Sequence, residues 1–202
     1  MRGVLIALEG IDGAGNTTQA RMLARWLKRR GVGVLLTKEP TRGAVGKLIR
    51  RRLRGGAMDP LVDALLFAAD RAEHVFNVII PGVERGLVVV TDRYVESSVA
   101  YQGAEGADPA WVESINSFAP RPDLTVILDL PPSQALARKA GPREGFEEEG
   151  FLAKVRELYR ARAEEKGYLV VDASRSVKEV HVEVRRAVED LLKNRRLRDR
   201  WA

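Results

Sequence analysis

Residues 4–18 read VLIALEGIDGAGNTT, and this stretch decides the fold. Val4, Leu5, Ile6, Ala7 and Leu8 form a continuous apolar run, as expected of a strand covered by helices on both faces. Gly10 and Gly15 follow with the spacing of the phosphate-loop pattern G-x-x-x-x-G-K-S/T, and Thr17 stands at its Ser/Thr position. A helical pattern begins there, so strand, glycine-rich loop and helix follow in the required order. Glycines let backbone N–H groups turn inward around phosphate oxygens, and the helix N-terminus adds the positive end of its dipole. Gly10, Asp12, Gly13, Ala14, Gly15, Asn16, Thr17 and Thr18 are the candidate nucleotide-phosphate cradle, with the Thr17 hydroxyl a candidate ligand for Mg²⁺.

One position departs from the pattern. Where the loop lysine belongs, the chain has Asn16, which is neutral. The change removes a charge-assisted contact to a transferring phosphate, the kind of interaction worth several kcal/mol in a transition state. Three readings stay open: a natural variant compensated by other cations, an engineered substitution that traps substrate, or a catalytically silent relative. The loop thus points more directly to nucleotide binding than to turnover.

Outward from this stretch, apolar runs rich in β-branched residues recur at 32–37, 87–91, 124–130 and 168–171. Helical periodicity fills 17–30, 45–54, 60–85, 109–118, 133–139, 148–166 and 177–193. Asp59 before Pro60 reads as an N-cap followed by a first-turn proline. The alternation predicts a doubly wound, five-stranded parallel sheet with helices on both faces. At 202 residues the chain is expected to form a single domain, 1–202. The gly- and charge-rich segment at about 138–150 fits neither pattern and reads as a surface loop or a lid.

Composition narrows the classes. A hydrophobic share of 45% excludes a mainly disordered chain, and no apolar run approaches the ~18–20 residues of a membrane-spanning helix. Zero cysteine excludes disulfide scaffolds and thiol chemistry, and a cytoplasmic location is expected. The net charge of +6 suits nucleic acid, an anionic surface or phosphorylated small molecules, and by itself does not choose. The C-terminal KNRRLRDRWA reads as a solvated helix end. Without aromatic–basic interleaving, neither nucleic acid nor membrane is expected as a partner.

Two more motifs fall after strands. Lys38-Glu39-Pro40-Thr41-Arg42-Gly43 follows the second, and Asp92-Arg93-Tyr94 closes the third. In an open parallel sheet, ligands gather at the C-terminal strand ends, so Arg42, Asp92 and Arg93 share an edge with the glycine-rich loop. Aspartate there suits Mg²⁺, and arginines suit bidentate phosphate contacts. Further along lie LLFAADR at 65–71, with Phe67 and Arg71 on one helix face, and SSVAYQG at 97–103.

Taken in order, GIDGAG-TT, KEPTRG, LLFAADR, DRY and SSVAYQG resemble the thymidylate kinases, a family of nucleoside monophosphate kinases. The resemblance covers nearly the whole chain, and LLFAADR and DRY…SxxAYQG are its most specific parts. It implies transfer of a phosphoryl group from ATP to dTMP, with Mg²⁺ as cofactor, in a homodimer. It further implies that Phe67 stacks on the thymine ring, Arg71 donates to an exocyclic oxygen, and Gln102 faces the base beside Ser98. Tyr101 would sit against the sugar, and Asp12 would meet the 3′-hydroxyl. Arg42 and Arg93 would hold the acceptor's phosphate, Arg93 also reaching the transferring group, with Asp92 orienting the metal.

Within that family an arginine comes either from the phosphate loop or from the lid. Position 13 is Gly here, so the resemblance assigns the arginine to the lid, with Arg138 and Arg143 as alternatives. Asn16 motivates an alternative function, a nucleotide-binding pseudoenzyme or regulatory module. A kinase for another pyrimidine monophosphate, such as dUMP, is the lesser alternative.

Overall fold

The strands β1 (Val4–Glu9), β2 (Val34–Lys38), β3 (Val88–Asp92), β4 (Leu124–Asp129) and β5 (Leu169–Asp172) form one all-parallel sheet ordered β2-β3-β1-β4-β5. The structure is a computed structural model that describes residues 2–55, 59–138 and 148–199. With β1 central, the chain first winds to the β2 edge, returns through β3, and then winds to the β5 edge. The winding reverses at β1, so the crevice for a ligand opens at its C-terminal end.

The sheet is covered on both faces, as the near-continuous apolar strands require. Val4, Ile6 and Leu8 join a core with Leu23, Trp26 and Leu27 of α1 (Asn16–Arg29) and Val180, Val184 and Val188 of α9 (Val177–Asp199). Leu5 and Ala7, pointing the other way along the same strand, pack with Val75, Ile79 and Val83. Between β2 and β3 lie α2 (Ala44–Leu53) and α3 (Pro60–His74), the latter capped by Asp59, whose Oδ1 accepts from Leu61 N–H at 2.8 Å.

The single helix expected over 60–85 is three pieces. After α3 comes a π-helical turn, Val75–Ile79, and then α4 (Ile80–Glu84). Pro81 explains the interruption: it has no N–H to donate, and its ring clashes with the carbonyl four residues back in a regular α-helix. The extra residue of the π turn absorbs the mismatch, with Ile80 N–H donating to the Val75 carbonyl.

Two other elements differ from expectation. The SSVAYQG segment belongs to a helix, α5 (Val95–Glu105), that the periodicity did not reveal. Glu96, Ser98, Val99, Ala100, Tyr101 and Gln102 are all buried, so α5 is enclosed on several sides and has no single apolar stripe. The helix expected at 109–118 ends at Ile115 as α6 (Pro109–Ile115), because the Asn116 amide is drawn inward. It donates to the Val112 carbonyl at 2.8 Å and accepts from Arg71 Nη1 at 2.6 Å. Beyond β4, α7 (Pro132–Arg138) and α8 (Glu149–Lys166) flank the candidate lid at about 138–150. Most of that segment, including Arg143, lies outside the described residues.

Candidate active site

β1 ends at Glu9, and the chain turns over Gly10–Gly15 into α1. Two glycines are required by geometry. Gly10 has φ +147, and a Cβ there would lie 2.6 Å from the Leu128 carbonyl oxygen; Gly13 has φ +84, and its Cβ would lie 2.6 Å from that of Ala135. Only glycine combines this backbone with this proximity. Asn16 is buried, and its Nδ2 donates to the Gly10 carbonyl at 3.1 Å, folding the side chain back onto the loop. Its Oδ1 has no partner.

The register of the sheet builds the next cluster. Lys38 of β2 pairs with Asp92 of β3, which pairs in turn with Leu8 of β1. The Thr17 hydroxyl donates to Asp92 Oδ2, and Lys38 Nζ lies 3.2 Å from the same oxygen and 3.3 Å from Thr17 Oγ1. Asp92 Oδ1 is buried without a partner, an orphan acceptor beside a hydroxyl at the mouth of a phosphate-type loop. A carboxylate and a hydroxyl are hard oxygen donors. Mg²⁺ characteristically takes one or two protein oxygens and completes its shell with phosphates and water. The residues present therefore fit that ion. Among the described residues, no group of three or more His, Cys, Asp or Glu forms an all-protein metal cage.

Arg93, next in sequence, has φ 74, a left-handed backbone that costs a side-chain-bearing residue about 1–2 kcal/mol. Its N–H donates to the Leu8 carbonyl at 3.0 Å, and its carbonyl accepts from Thr91 Oγ1 at 2.7 Å, which hold the conformation. The guanidinium is aimed back under the loop, pairing with Asp12 Oδ1 and donating to the Gly10 carbonyl at 3.1 Å and Ser97 Oγ at 3.0 Å. It lies 5.1 Å from the centroid of the Tyr101 ring, whose hydroxyl accepts from Asp12 N–H at 2.9 Å. Burial, reinforced by the Asp12 carboxylate, pushes the Tyr101 phenol up and keeps it protonated.

Beneath this web sits Glu9, fully buried and missed by sequence reasoning. Its Oε2 accepts from Ser97 Oγ and from the Tyr159 hydroxyl. Burial pushes its carboxyl up to about 7, although the Ser97 hydrogen bond and the Arg93 charge pull the other way.

Arg42 is exposed on a loop fixed at its base. Asp70 accepts from Thr41 N–H at 2.7 Å and from Thr41 Oγ1 at 2.6 Å, and Arg50 Nη1 donates to the Pro40 carbonyl at 2.9 Å. Arg71, by contrast, is 1% exposed. Its Nε donates to Glu39 Oε2 at 2.9 Å, its Nη1 to Asn116, and its Nη2 to the Tyr94 carbonyl and Ser98 Oγ, both at 3.0 Å. His74 completes the network, its Nδ1 2.9 Å from Glu39 Oε1 and its Nε2 2.6 Å from Thr37 Oγ1. Arg71 is thus tied into the protein rather than reaching for solvent.

Two cavities open at this edge. One of about 770 Å³ follows the phosphate loop and is also lined by Asp92, Arg93 and Arg138; the other, of about 560 Å³, is lined by Arg42, Thr41 and His74. Thr17, Lys38 and Asp92 line both. Arg138 Nη2 donates to the Ala173 carbonyl at 2.9 Å on the wall of the larger cavity. Phe67, Arg71, Ser98, Tyr101 and Gln102 line neither. Phe67 is half-buried one turn before Arg71, while Ser98, Tyr101 and Gln102 are buried on α5. Gln102 Nε2 donates to Glu105 at 3.4 Å, and its Oε1 is buried without a partner. Sequence reasoning also passed over Lys38, quoting it in a motif but giving it no role. Its position at the end of β2, in line with Asp92 at the end of β3, was the available signal.

A central β1, a glycine loop opening at the switch point, and a hydroxyl–carboxylate pair beside converging cations define an α/β phosphotransferase of the nucleotide-kinase class. The thymidylate kinase family model matches residues 8–184, and the chain belongs to that family. A "Probable thymidylate kinase" of Pyrobaculum aerophilum is 48% identical over 191 residues, spanning 93% of this chain and 97% of the relative. One from Pyrococcus abyssi is 47% identical, spanning 91% and 95%, and one from Thermococcus onnurineus is 46% identical, spanning 94% and 100%.

Proposed function

We propose that the chain transfers the γ-phosphoryl group of ATP to dTMP, giving ADP and dTDP, with Mg²⁺ as cofactor. One observation carries the reading: in a chain of this family, the phosphate loop, Asp92, Arg93 and Arg42 open onto adjoining cavities at one sheet edge. ATP phosphates lie along Gly10–Thr18, and Arg42 and Arg93 hold the acceptor's phosphate. Thr17 and Asp92 would hold the metal, which when bound would neutralise charge on the donor phosphates. The bond from the γ-phosphorus to its bridging oxygen breaks, and that oxygen keeps the electron pair as ADP leaves. A bond forms from the phosphorus to an oxygen of the dTMP phosphate, which arrives deprotonated, so no side chain needs to take a proton. The protein positions the groups and stabilises charge.

The base is read between α3 and α5. Phe67 offers a ring to stack on thymine, and the unpartnered Gln102 Oε1 is an acceptor suited to the ring N–H. Arg71 and Ser98 border this region; Arg71, held in place by Glu39, Asn116, Ser98 and the Tyr94 carbonyl, has one further Nη1 N–H to give to an exocyclic oxygen, and Tyr101 faces the sugar. Arg138 or Arg143 supplies the arginine of a closing lid.

The protein acts in the cytoplasm, in keeping with the lack of cysteine. It forms a homodimer through an apolar stripe on α3 and the π turn, where Leu61, Leu65 and Phe76 are exposed. No helix among the described residues is long and apolar enough to cross a membrane.

A second reading, a nucleotide-binding module without turnover, is favoured by the Asn16 amide folding onto Gly10 in place of a loop cation. An ADP-release assay with dTMP, dUMP, dGMP and dAMP tests both. Turnover is expected with dTMP above the others. Binding of dTMP and ATP without ADP release would favour the second reading.

A further inference from the structure

We propose that Lys38 is the catalytic cation of this site, supplying to the transferring phosphoryl group the positive charge that loop position 16 does not. The inference rests on the phosphoryl-transfer reading above and adds a residue to it.

The argument begins with what Asn16 does. Its amide is buried against the Gly10 carbonyl, and it carries no charge, so the loop presents only backbone donors and the Thr17 and Thr18 hydroxyls. Charge on the equatorial oxygens of a transferring phosphoryl group has to be met by cations, and most nearby cations are committed elsewhere. Arg42 and Arg93 are taken up by the acceptor's phosphate, and Arg93 is held in addition by Asp12, the Gly10 carbonyl and Ser97. Arg138 is on the Ala173 carbonyl, and Arg175 pairs with Glu183.

Lys38 differs in place and in freedom. Of the described residues it is the one cation lining both cavities, where donor and acceptor phosphates must meet. The β2–β3 register puts its Cα opposite that of Asp92, and its Nζ lies 3.3 Å from the hydroxyl of Thr17, the neighbour of Asn16. Its side chain is 54% exposed, so the ammonium ends a flexible stem and is not locked in the protein. Its present partners, Asp92 and Thr17, are the groups that fit the metal. Competition for those oxygens frees the ammonium to move onto phosphate. Lysine serves such a site as a compact point charge. The same cation thus reaches the reaction centre from the end of β2 instead of from the loop after β1.

The test is a cycle of kinetics and binding on the full chain: unaltered, Lys38→Met, Asn16→Lys and the double variant. Lys38→Met is expected to lower kcat for dTMP about 100-fold while changing KM for dTMP by less than about 3-fold, and to weaken ATP binding measured without metal. Asn16→Lys is expected to restore kcat at least about tenfold in the Lys38→Met chain, but to add under about 3-fold to the unaltered one. That dependence on background is a result a merely structural lysine would not produce. If Lys38→Met keeps kcat within about 3-fold, or if Asn16→Lys has the same effect in both backgrounds, the proposal is overturned while the kinase reading stands. If the unaltered chain does not phosphorylate dTMP, the kinase reading fails first, and Lys38 with it.

Discussion

Arg71 and Lys38 are two cations close to one sheet edge, and they sit in opposite physical states. Arg71 is buried, and Glu39, Asn116, Ser98 and the Tyr94 carbonyl all accept from it. Lys38 is half in solvent, with two partners at the long end of hydrogen-bonding range. Around Arg71 the polar atoms are satisfied; around Lys38, Asp92 Oδ1 and Asn16 Oδ1 are buried and unpaired. A saturated network behaves as framework, because removing any member strands the others in low dielectric. An unsaturated one retains capacity for a ligand, at a standing cost in desolvated atoms.

The sharpest way to break this contrast is Arg71→Ala. It leaves Glu39 buried without its main partner and is expected to destabilise the fold by about 3–5 kcal/mol in denaturant titration. A loss under about 1 kcal/mol would mean that Arg71 is not framework. Next in size is a pH effect at Glu9. Its folded-state carboxyl, at about 7 against an ordinary 4.5, keeps a proton that the unfolded chain releases, so stability falls as pH rises through that window and levels off above it. The fall is about 3 kcal/mol, and Glu9→Gln should flatten the dependence of Tm on pH between 4.5 and 7. An unchanged slope in that variant would assign the titration elsewhere.

Two smaller effects sharpen the contrast further. Glu113 is held down to about 2, chiefly by its hydrogen bond from Arg162, so its contribution to stability is present above 4.5 and lost as pH falls toward 2. Glu113→Gln should reduce the loss of Tm on acidification in that range, modestly because the side chain is partly solvated. Least of all, Lys38→Met should change unfolding free energy by no more than about 0.5 kcal/mol, even where turnover collapses. A large loss of stability there would make Lys38 framework like Arg71.

The sequence made the five strands legible because a sheet buried on both faces leaves continuous apolar runs. The glycine-rich turn between β1 and α1 was legible because its glycines are dictated by backbone geometry at Gly10 and Gly13. α5 was not, since a helix enclosed on several sides has no polar face to set against an apolar one. Nor was the break at the π turn, although Pro81 was its cause in plain view. Among candidate site residues, those in short motifs stood out: Asp92, Arg93 and Thr17. Glu9 and Tyr159 lie far apart in sequence and meet only in the folded core. The state of Arg71 was invisible for the same reason, since its partners come from three separate segments. Lys38 was in view, but its meaning depended on a strand register that only pairing reveals.

The left-handed backbone at Arg93 has a consequence for how this chain can vary. Glycine takes that conformation freely and would relax the turn, yet glycine brings no guanidinium to Asp12, Ser97 or the Gly10 carbonyl. Any other residue keeps the strain and loses the charge, apart from lysine, which loses the forked geometry. If Arg93 acts on phosphate as proposed above, mutational drift toward a more comfortable main chain runs directly against turnover at this position, and selection on activity holds an arginine in a place that stability would give away.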